Sequence, residues 1–77
     1  MEVIMENLES TIRGMVERGE LTFKDARPRH NLPEHAAGKL HLAGVEHARL
    51  TGQPRAACIT RACSIYWKLY GEREAKK

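Results

Sequence analysis

Four histidines, two cysteines and one run of alternating polar residues are the side chains here with chemistry to offer. The histidines, His30, His35, His41 and His47, follow one another at intervals of five, six and six. A helical metal pair needs ligands three or four apart, so that both rings leave the same face. These intervals scatter the rings, and no metal site is expected. His47 falls on an apolar helix face as a core histidine, while His35 and His41 face water. Cys58 and Cys63 sit five apart on one helix, about 140° apart around it, too divergent to bridge. They form no C-x-x-C redox pair and read as small buried hydrophobes with reduced thiols. Acid pairs such as Glu2/Glu6 and Glu72/Glu74 read as solvated charges rather than general acid–base couples. There is no glycine-rich phosphate loop and no nucleophile elbow. The expectation is a non-enzymatic protein without cofactor or metal. The alternating run remains: in an extended segment, Arg27, Arg29 and Asn31 share one face.

Three helices must position these residues. Over 2–18, Ile4, Met5, Leu8, Ile12, Met15 and Val16 follow three-and-four spacing and fill an arc of about 120°. Gly19 is placed to cap the helix, and the early glutamates suit its positive end. Periodicity is lost from Glu20 to Asn31, where Pro28 forbids a regular helix. The segment Leu21, Thr22, Phe23 reads as a short strand or a single capped turn. A second helix spans 33–51, with Asn31 or Leu32 at its cap and Pro33 just inside. Its core face is made of small residues, Ala36, Ala37, Leu40, Ala43, Gly44, Ala48 and Leu50, which suit close helix approach. Gly38 and Gly44 each cost that helix about 1 kcal/mol.

The third helix, 54–71, dominates the sequence. Pro54 suits its first turn. Ile59, Ala62, Cys63, Tyr66, Leu69 and Tyr70 fall in one arc, and Cys58, Ile65 and Trp67 widen it to roughly 200°. A surface helix needs about half that width, so this one is expected to be covered on two sides. Residues 72–77 read as a frayed charged tail. A single domain of 77 residues sits near the lower limit of self-sufficient cores. An obligate homodimer is the expected supplement, with Ile59, Cys63, Ile65, Tyr66, Trp67, Leu69 and Tyr70 at the dimer or partner interface.

The order R-P-R-H-N at 27–31, L-P-E at 32–34, L-T-G at 50–52, then Gly52, Pro54, Arg55, Ile59, Ala62 and Tyr66, resembles the ribbon-helix-helix family of dimeric DNA-binding proteins. The likeness covers about residues 26–70. It implies a short ribbon at 26–32 that pairs between two chains in the DNA major groove. Carried over by position, Arg27, Arg29 and Asn31 would read bases, and Gly52 and Arg55 would grip phosphate. The alternative is an all-α helical dimer or bundle with no strand.

Net charge is +3, distributed as −3 over residues 1–20 and +6 over residues 21–77. The basic part suits double-stranded DNA or an acidic protein. No run approaches a membrane span, no leader pattern is seen, and free cysteines suit a cytoplasmic setting. The functional expectation is a small regulatory protein of repressor or antitoxin type. The alternative is a phage- or plasmid-type module that inhibits or modulates a host protein through an aromatic helical face.

Overall fold

The computed structural model describes residues 8–27 and 31–76. Helix α1 spans Leu8–Glu17, α2 Glu34–Thr51 and α3 Arg55–Ala75, with no strand among the described residues. Ile4, Met5, Arg29 and His30, and with them the middle of the 26–32 ribbon, lie outside that set. The described flanks of the proposed ribbon, Ala26, Arg27, Asn31 and Leu32, are irregular.

Two glycines end helices as their positions suggest. Gly19 has φ 80°, its N–H donates to the Val16 carbonyl at 3.1 Å, and Glu20 N–H donates to Met15 at 2.9 Å. That pair of bonds is a Schellman motif. It turns the chain so that Leu21 drops into the core, where it is fully buried. Gly52 has φ 77° and donates to the Ala48 carbonyl at 2.8 Å, closing α2 with a simpler left-handed cap. At the other ends, Pro33 and Pro54 stand one position earlier than expected, as the N-caps themselves. Both are extended at ψ 142° and 136°, and neither offers a side-chain cap. Their carbonyls accept the first helical bonds, from Ala36 and Ala37 and from Cys58.

The three helices form an up–down–up bundle. α1 runs in the same direction as α3, joined by Glu9 to Lys68 at 3.1 Å and Arg13 to Glu72 at 3.1 Å. Both pairs are 59 residues apart in sequence. α2 returns antiparallel to α3 through a tight turn, and the closest approach is at Gly44. A Cβ built there would lie 2.7 Å from Ile59 Cα and 2.8 Å from its backbone nitrogen. The core gathers Leu8 and Ile12 from α1, Leu21, Ala36 and Leu40, and Ala62, Ile65, Tyr66 and Leu69 from α3.

The wide apolar arc of α3 is covered on two sides, as its breadth implies, and both covers belong to the same chain. Leu69 lies toward Arg13 and Val16 of α1, and Ile59 lies against α2. Helix α3 also runs four residues beyond the boundary read at Gly71. Glu72 is held by Arg13, and the Arg73 guanidinium lies 5.5 Å over the Phe23 ring, so part of the charged tail has tertiary partners. On α2, His47 is buried as expected, but Leu50 is 62% exposed and does not belong to the core face. Six residues beyond Gly44, it is rotated about 120° away from α3.

Candidate protein-binding groove

Because Gly44 lets α2 hug α3, α2 turns its other flank toward α1. Between α1 and that flank lies an open groove of about 590 Å³. Leu8 and Met15 of α1 and Ala43 and His47 of α2 line it, with Leu42 and Leu50 on its borders. Leu42, 67% exposed, and Leu50 are the exposed large hydrophobic residues among those described, and both border this one groove. Exposed leucines scattered singly need no explanation, but two converging on one apolar concavity make it the candidate site.

The rim is polar, with two ion pairs and Lys39 beside them. Arg18 pairs with Glu20 at 2.8 Å, Lys39 donates to the Glu20 carbonyl, and Glu46 pairs with Arg49. The hydrogen bond from Arg18 holds the Glu20 carboxyl below the usual carboxylate range, and that from Arg49 does the same for Glu46. Both therefore stay ionised at neutral pH. His47, which also lines the groove, is only 8% exposed.

The residues expected to bind DNA do not come together in one chain. Arg27 and Asn31 are exposed at the start of α2, and Gly52 and Arg55 are exposed beyond its end. Eighteen helical residues separate the two groups, about 27 Å at 1.5 Å per residue. Of the residues assigned to a dimer or partner interface, Ile65, Tyr66 and Leu69 are spent in the chain's own core. Ile59, Cys63, Trp67 and Tyr70 are half-buried on its flank. Burial raises the pKa of Tyr66, with Tyr70 adding to the shift, so the phenol stays neutral; it donates to the Thr22 carbonyl at 2.7 Å. Burial likewise raises that of the Cys63 thiol, which works against a thiolate.

At the far end of α3, Phe23 meets Tyr66 and Tyr70 with ring centroids 5.1 and 5.8 Å apart. Trp67 lies edge-on to both tyrosines. This cluster anchors the aperiodic segment, which His35 also holds by donating to the Lys24 carbonyl at 2.8 Å. Among the described residues no three His, Cys, Asp or Glu side chains gather as a metal site, and no helix is long and apolar enough to cross a membrane.

Sequence reasoning does not single out the groove residues. Leu42 carries the available signal: it lies outside the arc of Ala36, Leu40, Gly44 and Ala48, an apolar side chain on a face that should be wet. No protein-family model matches the chain, and no curated protein or solved structure is significantly similar to it.

Proposed function

We propose that this chain is a small non-enzymatic protein-binding module whose working surface is the α1–α2 groove, taking the apolar face of a helix. The carrying observation is that Leu42 and Leu50 both border that groove. Its volume of about 590 Å³ suits a few large side chains, and its rim carries two ion pairs beside Lys39. An amphipathic helix laid in such a groove places anchors at three-and-four spacing into it. This moves the partner surface from the aromatic face of α3 to the opposite flank of the bundle.

The test is a nuclear magnetic resonance titration with an amphipathic leucine–lysine helical peptide. Amide shifts at Met15, Leu42, Val45 and Leu50, with Arg55 and Arg61 unmoved, support the reading. Shifts confined to α3, or none at all, refute it.

A second reading keeps duplex DNA as the partner of a dimeric repressor-type protein. It is supported by the exposure of Arg27, Asn31 and Arg55, two clusters that a second copy would double. It requires duplex affinity that falls with salt at a log–log slope near −0.9 per phosphate contacted. An affinity that ignores salt, or its absence, removes this reading.

A further inference from the structure

A second cleft, sharing no residue with the groove, lies between the aperiodic segment and the last turns of α3. Its volume is about 560 Å³, and Phe23, Lys24, Tyr70, Arg73 and Glu74 are among the residues that line it. We infer that this cleft binds a small aromatic anion, a planar ring carrying a carboxylate or a phosphate.

The wall has donors to spare. Among the described residues, the Lys24 ammonium and the hydroxyl of half-buried Tyr70 make no hydrogen bond or ion pair. Nor does Arg73 meet a carboxylate there; its guanidinium lies over the Phe23 ring, 5.5 Å from the centroid. A guanidinium held by its face keeps its N–H edge open, and that edge fits a carboxylate or phosphate through two parallel bonds. With Glu74 counted, two cations stand against one carboxylate in the lining, so the cleft favours an anion.

The same wall supplies ring contacts. Phe23 and Tyr70 meet edge to face at 5.8 Å, an arrangement that a third ring can join. The backbone that carries Phe23 and Lys24 is fixed before any ligand arrives. The Tyr66 hydroxyl donates to the Thr22 carbonyl at 2.7 Å, and the His35 ring bonds the Lys24 carbonyl at 2.8 Å. The cost of ordering on binding therefore falls mainly on the Lys24 side chain.

Titration of the whole chain with phenyl phosphate and with benzoate tests the site. Amide shifts read it, as does Trp67 fluorescence, because the indole lies 5.7 Å from the Tyr70 ring. Inorganic phosphate and acetate supply the charge without the ring, and benzyl alcohol supplies the ring without the charge. At least one aryl anion should bind saturably at about 1 mM or below, with shifts centred on Phe23, Lys24, Tyr70 and Arg73. It should bind at least about tenfold more tightly than its ringless and uncharged counterparts, and the tighter of the two aryl anions identifies the head group. Arg73→Gln should weaken it by about tenfold and Tyr70→Phe by several-fold, with thermal melts checking that both variants fold. Absence of saturable binding, ringless or uncharged probes within about tenfold of the aryl anions, or a folded Arg73→Gln chain with unchanged affinity overturns the proposal. The comparison among probes uses the wild-type chain, so it decides even where a variant unfolds.

Discussion

Replacing Gly44 with alanine tests the packing on which the groove depends. The added methyl carbon would sit 2.7 Å from Ile59 Cα, 2.8 Å from its nitrogen and 2.9 Å from its Cγ1. Ordinary carbon–carbon contact is about 3.5–4.0 Å, so the helices must part by roughly 1 Å. Two of the three obstructing atoms are backbone and cannot rotate aside. Overpacking costs about 1–3 kcal/mol, and the rigid obstruction places this case at the upper end. Alanine returns about 1 kcal/mol of helix propensity, leaving a net loss of about 2 kcal/mol. For a domain of this size that lowers the melting temperature by roughly 8–16 °C. Gly38 is the internal control, on the same helix with nothing within 4 Å of its would-be Cβ. There the same change should stabilise by about 1 kcal/mol. Circular dichroism melts and urea titrations of both variants read the contrast. If Gly44→Ala melts at or above the wild-type temperature, α2 and α3 do not meet at this register, and the groove that follows from their contact is wrong.

Tyr66→Phe removes the bond to the Thr22 carbonyl while keeping the ring among Phe23, Trp67 and Tyr70. It should cost about 1 kcal/mol and speed hydrogen exchange in residues 20–27 ahead of the helices. Uniform exchange with no change in that segment would show that the hydroxyl is not its anchor. The Glu9 carboxyl is held below the usual carboxylate range by hydrogen bonds from Arg13 and then Lys68. A carboxyl lowered in the folded state stabilises it at neutral pH, and that contribution disappears as pH falls through the lowered value. Melting temperature should therefore drop on acidification below the ordinary carboxylate range, less so in high salt because the groups are exposed. Glu9→Gln should flatten part of that drop; an unchanged acid profile would mean the pair contributes nothing.

The helices were legible because their signals are local. Gly19 and Gly52 end α1 and α2 in left-handed geometry, and the apolar spacing of Ile12, Leu40 and Ala62 points each helix inward. What covers the broad face of α3 was not legible. An arc of about 200° says that two neighbours are needed, not whether they come from one chain or two. Leu50 reads as inward by its residue type, although its angle from Gly44 turns it out. The groove is less legible still, because its walls are contributed by helices from separate parts of the sequence. Leu8 and Leu50, 42 residues apart, line one groove only in the folded bundle. The anchoring of the aperiodic segment likewise depends on Tyr66 reaching Thr22, a contact 44 residues apart that no periodicity announces.

The paired charges along α1 and α3 do more than hold two helices together. Slide α1 by one turn in one direction and Glu9 faces Glu72; slide it one turn in the other and Arg13 faces Lys68. Either misalignment sets repulsion where the native setting has attraction. Two weak surface bridges, each of little consequence for stability, thus act as a ratchet on alignment. Leu8 and Met15 are thereby delivered to the depth at which they wall the groove, and a helix with an otherwise forgiving apolar face has one place to stop.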